Sequence, residues 1–152
     1  MNIFLDATCL FDAIKLTSVK NALDHATNAG HKLYVPLTAL GEILLVCIND
    51  NRSGDLNDVL SFCRGSDLLF RVPNEKLREC CMCIDGADKR NVLDYTDKTN
   101  LAYATAYDAD CFLTTDKKML RNFNFDCKDS TEIIDYDGLR KILGILFKLN
   151  GK

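Results

Sequence analysis

Short segments rich in apolar and β-branched residues alternate along this chain with longer stretches of helical periodicity. Five short segments are predicted strands, at residues 3–5, 32–35, 68–72, 111–114 and 132–134. Strands separated by helices form βαβ units, and such units build a mostly parallel sheet with helices on both faces. The alternation therefore predicts an α/β fold, and a length of 152 residues fits a single domain over residues 1–152.

The predicted helices fill the intervals between these strands. The first begins near Thr8, and the others cover residues 18–29, 38–49, 56–63, 75–84, 96–108, 117–121 and 137–149. Thr38 and Thr96 are the predicted N-caps of their helices, because a threonine hydroxyl can accept an N–H of the first turn. The polar segment 49–55 is a predicted loop, and 85–94 is a predicted exposed loop.

Composition and charge exclude several classes of protein. The chain has 47% hydrophobic and 27% charged residues, and no apolar run approaches the roughly 20 residues of a membrane span. Its 19 Lys and Arg against 22 Asp and Glu argue against nucleic-acid binding through bulk positive charge, although bound cations could supply that charge locally. The first six residues lack the basic start of a signal peptide, so we expect a cytoplasmic protein whose eight cysteines are thiols.

Four carboxylates fall at one edge of the predicted sheet. Asp6 follows the first strand and Asp116 the fourth, while Glu42 and Asp97 lie near the starts of two helices. Helices between parallel strands run antiparallel to them, so helix N-termini and strand C-termini share the edge where α/β proteins bind ligands. If the first and fourth strands are neighbours, the four acids can converge.

Each acid also has a purely structural explanation. Asp6, Asp97 and Asp116 could simply cap helices, and Glu42 could be paired within the core. Together, however, four clustered carboxylates would repel one another unless a cation were bound. Oxygen ligands suit Mg²⁺ or Mn²⁺, and such centres are typical of phosphoryl-transfer enzymes.

Neighbouring side chains could assist such a centre. Thr8 and Thr114 offer hydroxyl groups beside Asp6 and Asp116 that could orient water. Several basic residues could form a positive rim for a phosphate backbone, although a solvated helix face is the better explanation for each one taken alone: Lys98, Lys117, Lys118 and Arg121.

Four segments of the chain together resemble the PIN-domain family of ribonucleases. Segment 3–8, IFLDAT, resembles the family's opening strand and Asp, and segment 36–44, PLTALGEIL, resembles its Glu helix. Segments 97–104, DKTNLAYA, and 110–116, DCFLTTD, resemble its Asp helix and Thr-x-Asp strand in order and spacing. The resemblance covers roughly residues 2–49 and 94–135.

The resemblance implies a three-layer α/β/α sandwich with strand order 3-2-1-4-5. It implies endonucleolytic cleavage of RNA that depends on Mg²⁺ or Mn²⁺, with Asp6, Glu42, Asp97 and Asp116 as catalytic metal ligands. Many members are VapC-like toxins of toxin–antitoxin pairs and commonly dimerise, so an antitoxin partner and a homodimer are also implied.

Other interpretations stay open at this stage. A catalytically silent PIN-like binding module would keep the same fold. A phosphoacceptor receiver domain also gathers acids at this sheet edge, but it needs paired acids after the first strand. A haloacid-dehalogenase-like phosphatase needs an Asp where Thr8 stands. Cys80 and Cys83 form a C-x-x-C spacing beside Cys81, but no second pair suits a zinc site.

The final predicted helix carries more apolar residues than one buried stripe requires. They are Leu139, Ile142, Leu143, Ile145, Leu146 and Leu149. Part of this surface is either a dimer face or ordinary core packing.

Overall fold

A computed structural model describes residues 1–122 and 131–144 of the chain. In the described ranges, one or two helices follow each strand. In chain order the elements are β1 (Asn2–Leu5), α1 (Ala7–Lys15), α2 (Thr17–Asn28), β2 (Lys32–Pro36), α3 (Leu37–Asn49), α4 (Ser53–Gly65), β3 (Leu69–Arg71), α5 (Leu77–Ala87), α6 (Tyr95–Ala106), β4 (Cys111–Leu113), α7 (Lys117–Asn122), β5 (Glu132–Ile134) and α8 (Tyr136–Leu143). No helix of the described ranges is long and apolar enough to cross a membrane.

The five strands form one parallel sheet in the order β3-β2-β1-β4-β5. Phe4 of β1 is in register with Tyr34 of β2 on one side and with Phe112 of β4 on the other. The predicted strand order and the contact between the first and fourth strands are therefore confirmed. Receiver domains have the order 2-1-3-4-5, so the receiver interpretation is wrong.

Alternation of side chains along β1 divides the core between the two faces of the sheet. Ile3 and Leu5 are fully buried against the layer formed by α1, α2, α3, α4 and α8. Phe4 and Phe112 point to the opposite face and pack with residues of α5, α6 and α7, such as Leu101. The predicted three-layer α/β/α architecture is therefore confirmed.

The two predicted threonine caps are wrong. Helix α6 begins at Tyr95, and its N-cap is Asp94, whose Oδ1 accepts the N–H of Asp97 at 2.8 Å. Helix α3 begins directly after Pro36, so Thr38 lies within its first turn and makes no capping hydrogen bond. Asp competes well with Thr for the cap position, and a strand that runs directly into a helix leaves no residue free to cap it.

The predicted exposed loop at 85–94 is partly helical and partly buried. Helix α5 continues to Ala87, and the next residue, Asp88, is buried. Its two carboxylate oxygens accept the N–H groups of Val92 and Leu93, each at 3.0 Å. Leu93 is also buried, so a buried acceptor organises the connection between α5 and α6.

Most cysteines of the described residues are free thiols, as expected. These are Cys9, Cys47, Cys63, Cys80, Cys81 and Cys111. Cys83 departs from the expectation because it is disulfide-bonded. Cys127 lies outside the described residues.

Core packing explains the described part of the final helix. Leu139 is fully buried, and Ile142 and Leu143 pack against the core. The remaining apolar residues of the predicted helix, Ile145, Leu146 and Leu149, lie outside the described ranges.

Candidate functional site

The adjacent strands β1 and β4 bring two acids to the carboxyl edge of the sheet. Asp6 follows β1 directly and is the N-cap of α1. Asp116 stands between β4 and α7. The N–H of Asp6 donates to the carbonyl of Leu113 at 2.9 Å, which holds the two strand ends together at this edge.

Asp6 is the most buried acid of this edge, with 4% of its surface exposed. Its Oδ1 accepts the N–H of Ala7 at 2.8 Å, and its Oδ2 accepts the hydroxyl of Thr114 at 2.7 Å. Burial raises the pKa of Asp6; these hydrogen bonds oppose the rise, and the charge of Asp116 adds to it. Asp6 is therefore a buried carboxyl held by fixed donors.

Asp116 is held by the start of α7. Its Oδ1 accepts the N–H of Lys118 at 2.7 Å and that of Met119 at 3.4 Å. Its own N–H donates to the Thr114 hydroxyl at 3.1 Å. Thr114 is fully buried and therefore links the two acids through one hydroxyl group.

Asp97 lies in the first turn of α6 and has a strongly perturbed pKa. Burial, followed by the negative charges of Asp94, Asp6 and Asp116, raises the pKa of Asp97 to about 7. Asp97 thus lies in the field of Asp94 at the start of its own helix and of two acids from other segments of the chain, Asp6 and Asp116. Asp94 was not among the predicted site residues; its position three residues before Asp97, typical of an N-cap, could have indicated it.

Glu42 lies in the second turn of α3 and is half-buried. Its Oε2 accepts the Nδ2 of Asn100 at 2.9 Å. Burial raises the pKa of Glu42, the hydrogen bond from Asn100 opposes this rise, and the charges of Asp6 and Asp94 add to it. Glu42 and Asp97 therefore both lie in the field of Asp6 and Asp94, and Asp116 acts on Asp6 and Asp97.

Asn100 is a second residue of this site, after Asp94, that sequence reasoning did not predict. It is fully buried in α6, and its Nδ2 also lies 3.3 Å from Oδ1 of Asp6. One amide group thus connects the acid after β1 with the acid of α3. A possible signal is an Asn inside an alanine-rich helix, where its low helix propensity calls for a specific partner.

The auxiliary residues lie in different settings. Helix α7 exposes three basic residues that make no ion pair within the described ranges, Lys117, Lys118 and Arg121. The hydroxyl group of Thr8 lies 3.0 Å from that of Thr115. The ammonium group of Lys98 is 2.7 Å from Asp85 and 3.6 Å from Asp88, and only 13% of the side chain is exposed. Lys98 therefore stabilises the α5–α6 connection.

The chemistry of the acids suits a hard divalent cation. All donors are oxygens, and mutual repulsion contributes to the raised pKa values of Asp6, Glu42 and Asp97. A bound cation would relieve this repulsion. In residues 1–122 and 131–144, no three His, Cys, Asp or Glu side chains are grouped closely enough to hold a metal ion as they stand. Holding a cation with three or more of these acids would therefore require some of their side chains to move.

Comparisons with known proteins identify the fold. No family model and no curated protein sequence matches the chain. A chain in the crystal structure of VapBC2 from Rickettsia felis, bound to a DNA fragment from its promoter, matches with a TM-score of 0.73 and 15% identity, over 89% of this chain and 98% of that one. A chain of VapBC-1 from nontypeable Haemophilus influenzae matches with a TM-score of 0.62 and 14% identity, over 90% and 99%. The chain therefore has the PIN-like α/β/α fold of the VapBC structures, as its sequence predicted.

Proposed function

We propose that this protein is a metal-dependent endoribonuclease that hydrolyses phosphodiester bonds of RNA. Asp6, Glu42, Asp97 and Asp116 are the proposed ligands of Mg²⁺ or Mn²⁺. The observation that carries the proposal is the gathering of acids at one sheet edge, where burial and then the charges of Asp94, Asp6 and Asp116 raise the pKa of Asp97 to about 7. Carboxylates gathered against their own repulsion at a ligand-binding sheet edge indicate a cation site.

The residues around the acids would define the geometry of catalysis. Thr114 fixes Oδ2 of Asp6, and the backbone of α7 fixes Oδ1 of Asp116, so each carboxylate has a defined orientation. When bound, a divalent cation supplies Lewis-acid activation of water and stabilises charge on the phosphate. The exposed hydroxyl of Thr8 could orient the attacking water.

A basic surface next to the acids would bind the RNA backbone. Lys117, Lys118 and Arg121 follow Asp116 on α7 and are exposed. The net charge of the chain is -3, so these local cations, rather than the overall charge, would attract phosphates. Contacts of this kind position RNA without reading its sequence.

We further propose that the protein is the toxin of a toxin–antitoxin pair, that it forms a homodimer and that it acts in the cytoplasm. The structural matches are chains of VapBC assemblies, which supports a protein partner. Helix α3 presents an apolar face to solvent, formed by Leu37, Leu44, Leu45 and Ile48, each between 42% and 63% exposed. Exposed apolar patches of this kind mark protein interfaces.

The test is cleavage of a panel of single-stranded and structured RNAs with Mg²⁺, Mn²⁺ or EDTA. We expect metal-dependent cleavage by the wild type and its loss in Asp6→Asn and Asp97→Asn. Asp50→Asn is the matched control, because Asp50 is exposed at the far end of α3 and should leave cleavage unchanged. Thermal melts establish that all variants are folded. Cleavage that persists in EDTA or in Asp6→Asn would refute the proposal.

A catalytically silent binding module is the second candidate. The observation that favours it is that no three metal-ligating side chains are grouped within the described residues. Calorimetric titration separates the two functions, because the nuclease must bind Mg²⁺ or Mn²⁺. Binding of RNA without binding of either metal would favour the module.

A further inference from the structure

We propose that Asn100 is a positioning residue of the candidate metal site, and that Thr38 stabilises the direction of its amide group by donating a hydrogen bond to the amide oxygen. The amide would hold Asp6 and Glu42 in the orientation in which they bind the cation. This inference rests on the proposed function, because it assigns a role to residues next to the proposed ligands.

The amide of Asn100 joins three elements of the fold. From α6, its Nδ2 donates to Oε2 of Glu42 on α3 at 2.9 Å and reaches Oδ1 of Asp6 after β1 at 3.3 Å. Its own Oδ1 accepts the hydroxyl of Thr38, which is also on α3. All hydrogen-bonding groups of this fully buried side chain are therefore in use.

The chemistry of its neighbours determines which way the amide points. Ionised carboxylates only accept hydrogen bonds, so the NH₂ group of Asn100 must face Asp6 and Glu42. The carbonyl then faces Thr38, whose hydroxyl must donate. Rotating the amide by half a turn would place its oxygen against two carboxylate oxygens and leave a buried mismatch. The two carboxylates therefore select one orientation, and the Thr38 hydroxyl stabilises it by donating to the amide oxygen.

This arrangement also assigns the carboxylate oxygens to different tasks. Oδ1 of Asp6 accepts both the Ala7 N–H and the Asn100 amide, so its lone pairs are occupied. Among the described residues, Thr114 alone donates a hydrogen bond to Oδ2 of Asp6, and none donates to Oε1 of Glu42. The amide thus leaves Oδ2 of Asp6 and Oε1 of Glu42 with lone pairs that would be available to a cation.

A neutral donor suits this position better than a charged one. A lysine or arginine would satisfy both carboxylates, but its positive charge would compete with the metal ion for them. An amide orients the two acids and leaves their negative charge for the cation. Outer-shell partners of metal ligands generally contribute 10–100-fold to metal affinity, which sets the expected size of the effect.

The experiment is calorimetric titration of Mn²⁺ into the full, metal-free chain. We expect Asn100→Ala to weaken the affinity by about 10–100-fold and Thr38→Val by about tenfold, while Thr38→Ser keeps the wild-type value. Thr105→Val is the matched control, because Thr105 is also buried in α6 and its hydroxyl bonds only the Leu101 carbonyl.

Thr38→Val is included because it should fold even if Asn100→Ala does not: Thr38 is only partly buried, and valine has nearly the same shape as threonine. Cleavage assays add a second readout: at saturating Mn²⁺ the rate of each variant should return to near the wild-type value, with an unchanged KM for RNA. A loss caused by partial unfolding would not be rescued by metal.

The outcomes separate this inference from the proposed function. If the wild type binds Mn²⁺ but Asn100→Ala and Thr38→Val bind it equally well, the inference is overturned and the nuclease proposal stands. An equal loss in Thr105→Val would also overturn it. If the wild type binds neither Mn²⁺ nor Mg²⁺, the proposed function itself fails.

Discussion

Replacing Asp97 by Asn should stabilise the metal-free protein above neutral pH. Burial and the charges of Asp94, Asp6 and Asp116 raise the pKa of Asp97 from 3.8 to about 7. Between these two values the folded protein retains a proton that the unfolded chain has lost. The stability contributed by this proton is fully present below about pH 4 and is lost as the pH rises through about 7.

The size of the effect follows from the same pKa shift. At about 1.4 kcal/mol per pH unit, the full shift corresponds to roughly 4 kcal/mol. The Asp97 carboxyl is partly exposed, so solvent screening reduces its contribution to about 1–2 kcal/mol. Asn imitates the protonated acid, so the advantage of Asp97→Asn should grow by this amount between pH 5 and pH 8.

Urea unfolding in EDTA at pH 5, 6, 7 and 8 measures this difference. Asp50→Asn serves as the control, because it removes an exposed carboxylate distant from the site. Its unfolding free energy should change with pH in the same way as that of the wild type. Added Mn²⁺ at pH 8 should stabilise the wild type and not Asp97→Asn. If the unfolding free energies of the wild type and Asp97→Asn change equally with pH, the raised pKa of Asp97 is refuted.

Three further predictions concern other parts of the molecule. Replacing Lys117, Lys118 and Arg121 together by Gln should weaken RNA binding at all sequences and reduce the slope of log Kd against log salt by about 2, with unchanged Mn²⁺ affinity in calorimetry. Leu45→Glu on the α3 apolar face should shift the sedimentation profile towards a monomer, and at protein concentrations where wild type and variant are both monomeric it should change the unfolding free energy by less than about 0.5 kcal/mol. Asp88→Ala should cost about 2–4 kcal/mol in urea unfolding, because two N–H groups and a lysine lose their acceptor.

Local sequence pattern was sufficient to predict the layered fold. Each strand of a parallel sheet is buried on both faces and is therefore a short apolar run, and the helices between the runs show their own periodicity. The positions of Asp6 and Asp116 followed from the same pattern, because each stands where a run ends. The ends of the helices were predicted less well. Thr96 was the predicted cap of α6, but Asp94 is the cap, because its backbone has the extended conformation of an N-cap, and local sequence does not determine which residue adopts it.

The sequence by itself determined the α/β class, the parallel sheet and the edge at which its four acids lie, because these depend on short-range periodicity and on the direction of each strand. Only the tertiary structure decided that Asn100 lies between Asp6 and Glu42, residues 94 and 58 positions away. It also decided that the exposed apolar face belongs to α3, while the described part of α8 packs into the core. The physical reason is that side-chain partners and exposed faces depend on how the helical layers pack across the sheet, and local sequence does not encode that packing.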